Sequence, residues 1–215
     1  PYDFQYNINL NSDFRKPLSF GLQYRHSTQP ATGQKSNDFG TEINWRIGQQ
    51  FVIDYELEHV NSHNEYGYAT QNATSDSIIF AKRNVNAIVN TLQTTFVINN
   101  KSGISLRARH YWSGVENSDY YLLQDDGMLT SQSFAGNVNQ NYNAFTIDMI
   151  FRWIFAPGSE LSLAWKTTSY DNDNLVDSNY WNNLQKSWLN QQNSLSLKIL
   201  YYIDYNNLTK TKKLI

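Results

Sequence analysis

The chain has 215 residues and a net charge of −2, and only 17% of its residues are charged, against roughly 25% in an average soluble domain. This charge gives no electrostatic basis for nucleic-acid binding, so no nucleic-acid partner is expected. The chain has no cysteine, which excludes disulfides and thiolate metal sites. No apolar run approaches the ~20 residues of a membrane-spanning helix.

Alternation of apolar and polar residues with a period of two dominates the chain and predicts β-strands. In chain order the pattern occupies YDFQYNINL, LSFGLQYRH, FGTEINWRI, FVIDYELEH, residues 85–98, ISLRARHYW, NAFTIDMIFRWIF, LSLAWK and SLSLKILYYIDY. We count about nine strands, mostly of roughly 9–12 residues, which is longer than the ~5–6 residues of typical soluble strands.

The connections between these strands alternate between short and long. The short ones are NSDFRKP, GQQ, NNKSG and APGSE, and the long ones are residues 28–38, 61–84, 113–143 and 169–192. Outer-membrane barrels combine short periplasmic turns with longer extracellular loops. The sequence therefore predicts an all-β, antiparallel, up-and-down transmembrane β-barrel in the bacterial outer membrane, closed because open sheet edges are not tolerated in lipid.

The alternation assigns one side of the strands to lipid and the other side to a polar lumen. The residues predicted to face lipid are Phe145, Ile147, Met149, Phe151, Trp153, Leu161, Leu163, Trp165, Leu197 and Ile199. The charged residues predicted to face the lumen are Arg25, Glu42, Arg46, Asp54, Glu56, Glu58, Arg107, Arg109, Asp148, Arg152, Lys166, Lys198 and Asp204. Because both signs occur in similar numbers, we expect ion pairs rather than the one-sign lining of an ion-selective pore. The acidic DYELE row and the basic LRARH row are expected to face each other across the lumen.

A soluble β-sandwich or lipocalin-like barrel shows the same alternation with its apolar face inward. Three features favour the membrane: the strand lengths, the short-then-long connections, and aromatic residues at strand ends. These aromatic residues are Tyr2, Phe39, Phe51, Trp112, Phe155 and Tyr205.

The strand count bears on the extent of the barrel. Bacterial single-chain barrels have even strand numbers, so a count of nine predicts at least one further strand before Pro1. Residues 1–206 are assigned to the partial barrel, and residues 207–215 to a basic periplasmic tail.

Four segments carry a resemblance to a known family: residues 90–113, 120–130, 143–166 and 194–205, with the hairpin around Trp153, Phe155 and Pro157-Gly158-Ser159 as the most specific part. The chain resembles the C-terminal outer-membrane β-barrel part of the Bacteroidota family called domain of unknown function 5916. The resemblance implies an envelope protein in glycan-rich settings. Members carry an N-terminal family 9-type carbohydrate-binding module, which these residues do not include.

Residue patterns that would carry chemistry are weak. Glu56 and Glu58 share a strand face at a spacing compatible with glycosidase acids, but any two acids at i and i+2 do so. His59 and His63 straddle a strand end, and the acidic stretches QDDG (124–127) and YDNDN (170–174) lack the spacing of a calcium loop. We therefore assign no catalytic residue, metal site or cofactor, and predict that the chain is not an enzyme.

The long loops carry Tyr and Trp among Asn and Gln, a mixture that suits sugar stacking or protein contacts. In the last loop the apolar spacing predicts a short amphipathic helix that caps the barrel mouth or lies at the membrane interface, with Leu175, Tyr180, Trp181, Leu184 and Trp188. The predicted function is a channel-like or scaffold component of the envelope. Its predicted partners are outer-membrane lipid and, through the loops, glycans or other envelope proteins. The alternative is a soluble glycan-binding domain that uses these loops.

Overall fold

The computed structural model describes residues 2–71 and 77–203, and shows an all-β chain with one short helix. The strands are β1 Phe4–Asn11, β2 Leu18–Gln29, β3 Gln34–Ile47, β4 Phe51–Gln71, β5 Ile78–Asn99, β6 Ser102–Leu123, β7 Leu129–Gln132, β8 Gln140–Ala156, β9 Ser159–Asp173 and β10 Gln192–Leu200, and the helix is α1 Tyr180–Lys186. The predicted residue Asp204 and the predicted tail 207–215 lie outside the described residues.

All ten strands belong to one antiparallel sheet of up-and-down topology, as predicted. The strand order is β1-β2-β3-β4-β5-β6-β8-β9-β10, and the short β7 pairs with the last residues of β6. Among the described residues β1 and β10 are hydrogen-bonded along one edge only, and the sheet is not closed.

The predicted long connections are mostly strand. β4, β5 and β6 contain 21, 22 and 22 residues, so the segments 61–71, 78–84 and 113–123 continue the sheet. Residues 28–38 contain only a four-residue turn, 30–33, between β2 and β3. The prediction of a loop was wrong in these segments, because polar residues there pair in the ladder without showing the alternation that marks a strand.

The short connections were predicted at the correct places, although NNKSG and APGSE are shortened to turns at 100–101 and 157–158. The turns at 12–17, 48–50, 100–101 and 157–158 all lie at one end of the sheet, which we call the turn end. The connections at 30–33, 124–139 and 174–191 lie at the opposite end, which we call the loop end. The two ends therefore differ in the way the sequence indicated, although the loop end is built largely from extended strands.

The register sorts the side chains onto two faces, because successive residues of a strand point to opposite sides. One face, the charged face, carries every described residue that was predicted to face the lumen, from Arg25 in β2 to Lys198 in β10. The other face, the apolar face, carries all ten residues predicted to face lipid, and continues through the earlier strands with side chains such as Ile8, Phe20 and Trp45. The pairing shows that each of these two sets of residues shares one face of the sheet.

Little of the apolar face is packed inside the molecule. Among the described residues only Ile79, Ala81, Trp112 and Phe145 are buried apolar side chains, while many large ones are exposed, including Leu197 at 61%. The described chain is a sheet one layer thick, and its apolar face lacks the second layer that soluble domains provide.

The tight turn at Pro157-Gly158 offers a test of the fold at the turn end. Gly158 has a φ of +72°, and a Cβ added there would lie 2.9 Å from Cβ of Tyr202. Gly127 has a similar φ of +82° but open space around it. We expect Gly127→Ala to lower the free energy of unfolding by about 1 kcal/mol through backbone strain alone, and Gly158→Ala to cost at least about 1 kcal/mol more. Denaturant titration measures both, and equal costs would argue against the packing of Tyr202 over the turn.

Candidate functional site

The apolar side chains of the apolar face form an oblique band, which we call the apolar band. In β1 its residues run from Phe4 to Leu10, centred on residue 7. Each residue has a cross-strand partner in the next strand, and a line of such partners is a row of the sheet. The row that starts at Asn7 in β1 ends at Asn172 in β9. The apolar residues of β9 are instead centred on Leu163, nine residues closer to the turn end.

The geometry of the sheet converts this offset into an angle. Nine residues span about 30 Å along a strand, and seven strand spacings span about 34 Å. The apolar band therefore crosses the rows of the sheet at roughly 40°, which lies within the ~35–45° by which strands tilt in membrane barrels.

The helix α1 packs against the apolar face at the loop-end border of the apolar band. On β8 the apolar residues end at Phe145, and the next two residues of the same face toward the loop end are Asn143 and Asn141. Both asparagines are 0% exposed. The amide of Asn183 in α1 lies over them: Nδ2 of Asn141 and Nδ2 of Asn143 donate to its Oδ1 at 3.1 and 3.2 Å.

Further polar contacts hold the helix on β5 and β6. Nδ2 of Asn90 donates to the Tyr180 hydroxyl at 2.8 Å. The ring nitrogens of His110 lie 3.0 Å from the Tyr180 hydroxyl and 3.1 Å from Oγ of Ser187. The underside of the helix is therefore polar, and it is bound to the sheet by hydrogen bonds between residues 40 to 90 positions apart in the chain.

The local sequence explains why the helix begins where it does. Asn179 is the N-cap, and its side chain accepts from the backbone N–H groups of Trp181 and Asn182. Asp177, two residues before Asn179, accepts from the backbone N–H of Asn179 and the side chain of Asn182, and these bonds lower the pKa of its carboxyl group. Lys186 in the last turn pairs with Asp173 at 3.0 Å.

The outward side of this segment carries three exposed apolar residues beside polar ones such as Asn182 and Gln185. Trp181 is 67% exposed, Trp188 is 51% exposed and Leu189 is 78% exposed. Trp188 also touches the sheet, with its ring 4.8 Å from that of Phe145. A helix is confirmed over Tyr180–Lys186, while the predicted helix residues Leu175 and Trp188 lie outside it. The helix packs on the apolar face of the sheet and not across the end of the strands.

Only some of the aromatic residues that were predicted at strand ends lie at the end of a strand. Phe51 begins β4 and Phe155 lies one residue from the end of β8. Phe39 and Trp112 lie inside β3 and β6, and Trp112 is 1% exposed. Tyr205 lies outside the described residues.

The charged face contains two ion pairs between β8 and β9, one in the middle of the strands and one near the turn end. Lys166 approaches Asp148 at 3.8 Å, and Arg152 forms an ion pair with Glu160. Glu160 was not predicted, because it stands in the APGSE segment that was assigned to the turn. Arg46 instead donates to the backbone oxygens of Phe14 and Lys16, which braces the first turn.

The acidic and basic rows of this face are neighbours and do not oppose each other. Glu56 pairs with Thr91 of β5, which pairs with Arg109 of β6. The two rows are thus separated by one strand of the same sheet, which corrects the expectation that they face each other across a lumen.

A depression of about 420 Å³ lies on the charged face over β1 to β4, with Glu42, Glu56 and Glu58 in its lining. Glu42 and Glu56 are direct cross-strand neighbours, an unfavourable arrangement of like charges. No group of three His, Asp or Glu side chains in residues 2–71 and 77–203 is arranged to hold a metal ion. The depression offers acidic groups but no constellation that assigns a reaction.

The other residues considered for metal binding make hydrogen bonds that are common in strands and turns. His59 lies 2.8 Å from Oδ1 of Asn86 on the neighbouring strand. In QDDG, the carboxylate of Asp126 accepts from the backbone N–H of Met128 within a turn. Most of YDNDN belongs to β9.

Comparison with known proteins places the chain in a family. The model of a domain of unknown function, DUF5916, matches residues 1–212. The chain belongs to the DUF5916 family. No curated protein and no solved structure matches it. The family resemblance inferred from the hairpin and strand motifs is thereby confirmed, while the name assigns no activity.

Within the described part of this DUF5916 chain, no helix has the length and apolar character required to cross a membrane.

The buried amide of Asn183 offers a test of the helix-to-sheet contact in the DUF5916 chain. Asn183→Ala removes the acceptor shared by Asn141 and Asn143, and a buried donor without an acceptor costs about 1–3 kcal/mol. We expect a loss of about 2 kcal/mol or more in the local stability of α1, measured by hydrogen exchange of its backbone amides. Gln185→Ala, on the exposed side of the same helix, is the control and should change stability by less than about 0.5 kcal/mol. Equal protection in the two variants would contradict the proposed role of the amide contacts.

Proposed function

We propose that this chain forms part of an outer-membrane β-barrel that serves as a channel-like or scaffold component of the cell envelope. In this proposal the apolar face contacts lipid and the charged face lines a polar lumen. The barrel is closed by further strands that pair with the free edges of β1 and β10. The resemblance adds the expectation of a Bacteroidota envelope protein whose full chain carries a carbohydrate-binding module.

The oblique course of the apolar band, together with its height, is the observation that carries the proposal. A membrane imposes a flat apolar slab, so tilted strands must present their apolar residues at different heights along each strand. This chain does so between β1 and β9. On the apolar face, the row of cross-strand partners that begins at the apolar residue Ile8 passes Trp112 and ends at the charged residue Asp171, so the row leaves the apolar band as it crosses the sheet. The slant itself follows from the strand tilt of a closed barrel, and the height of the apolar band is what favours a barrel in a membrane.

The height of the apolar band also fits a membrane. On β8 it extends from Phe145 to Phe155, ten residues apart. Ten residues span about 33 Å along the strand, which corresponds to about 25 Å across a membrane for a strand tilted by ~40°. This matches the ~25 Å apolar band of outer-membrane barrels.

The charged face is better suited to line a water-filled lumen than to form part of a packed core. Its ion pair between Asp148 and Lys166 has side chains that are 47% and 57% exposed. Such exposed charges are tolerated next to water but would be costly in a packed core. The mixture of signs favours a braced or plugged lumen over a pore selective for one sign of ion.

The alternative function is a soluble glycan-binding domain. Exposed aromatic rings at the loop end favour it, since Tyr68, Tyr170 and Trp181 are available for stacking on sugars. In that case the protein would fold in buffer without lipid or detergent, and Trp181→Ala would weaken binding to a soluble glycan.

An arginine pair on β5 tests the proposal. Leu92 lies mid-way along the apolar residues of β5, and Gln93 is its neighbour on the charged face, between Asp54 and Arg107. We expect Leu92→Arg to lower the free energy of unfolding in lipid vesicles by about 2–4 kcal/mol, the cost of arginine near a bilayer midplane. Gln93→Arg should change it by less than about 0.5 kcal/mol.

Denaturant titration of protein folded in vesicles gives both values. Similar costs at Leu92 and Gln93 would contradict the assignment of the two faces. A large cost at Leu92 together with full folding of the unsubstituted protein in lipid-free buffer would favour the soluble alternative.

A further inference from the structure

We propose that the segment from Trp181 to Leu189 is an interfacial anchor that lies in the headgroup region of the lipid leaflet at the loop end. This inference rests on the proposed membrane location of the sheet. It adds a specific contact surface and a specific depth, neither of which follows from the barrel alone.

The position of the helix is the first observation. The apolar residues of β8 end at Phe145, and the buried amides of Asn143 and Asn141 begin directly beyond it. Because α1 covers this border, it stands where the lipid-facing surface of β8 would meet the headgroups. On the side of the helix toward the turn end, the ring of Trp188 contacts the ring of Phe145, the last apolar residue of β8.

The orientation of the helix is the second observation. A helix held on a soluble protein normally turns its apolar side inward. Here Asn183 and Ser187 face the sheet and are buried, whereas Trp181 and Leu189 project outward. The described part of the sheet therefore leaves Trp181 and Leu189 exposed, and a lipid surface would cover them.

The two edges of the helix differ in a way that favours lipid as the covering surface. Toward the loop end, Lys186 pairs with Asp173, and Asn182 donates to Asp177, so this edge is charged and wet. Toward the turn end, Trp188 continues the apolar band. A water-facing edge beside an aromatic edge matches the gradient of a membrane interface, where tryptophan is enriched.

Spin labels measure this depth directly, and the absence of cysteine from residues 1–215 makes single sites accessible. In the full-length protein reconstituted into phospholipid vesicles, one label would replace Leu189, Trp181 or Asn182. Leu163→Cys marks the centre of the apolar band on β9, and Asp126→Cys marks an exposed turn at the loop end. Collisions with oxygen, which concentrates in lipid, and with a water-soluble nickel chelate are compared at each site.

We expect oxygen to dominate at Leu163 and the chelate to dominate at Asp126 and Asn182. Leu189 and Trp181 should give an intermediate ratio of oxygen to chelate collisions. If Leu163 reports lipid while Leu189 and Trp181 match Asn182, the anchor is wrong and the barrel proposal stands. If Leu189 and Trp181 are shielded from both reagents, a protein partner covers the segment, and the lipid anchor is also wrong. If Leu163 itself does not report lipid, the failure lies in the proposed function.

Discussion

A single antiparallel sheet with one apolar face constrains everything else in this structure. The backbone ladder fixes the pairing of its strands, but the net stabilisation from these hydrogen bonds is small, so the stability of the sheet depends on what covers its apolar face. This face must lose contact with water, and no second layer of the described chain is available to cover it. Side chains such as Leu197 are therefore exposed in the described chain, and whatever covers them must come from the surroundings of this sheet.

The helix shows how the chain treats the border of that face. Beyond the apolar band, the same side of the sheet carries amides and a histidine, and α1 covers them with amides and hydroxyls of its own. The cost of burying the amides of Asn141 and Asn143 is reduced because both donate to the side-chain oxygen of Asn183. The covered polar region, the outward tryptophans and the slanted apolar band share one border, and the proposed membrane surface accounts for all three.

The sequence predicted the faces of the sheet better than the lengths of its strands. A period of two assigns each residue to a face wherever apolar and polar residues alternate, as in β8 from Phe145 to Phe155. The same rule fails where both faces are polar, so the strand residues around Asn84 and Ser113 were predicted as loop. Glu160 was missed because a turn assignment gives no information about a cross-strand ion pair. The position of α1 on the sheet depends on contacts such as that of Asn90 with Tyr180. These residues are 90 positions apart, so no local sequence pattern predicts the contact.

The assignment of the apolar face to lipid is tested most directly by scanning residues 147–154 of β8 with single cysteines in the full-length protein in native membranes. Each site would be probed with a water-soluble thiol reagent and, after attachment of a fluorophore, with a lipid-phase quencher. We predict that Ile147, Met149, Phe151 and Trp153 report lipid, and that Asp148, Ile150, Arg152 and Ile154 report water. If the odd-numbered positions are shielded from both probes while the even-numbered positions are wet, the apolar face is an internal core, and the membrane account is contradicted.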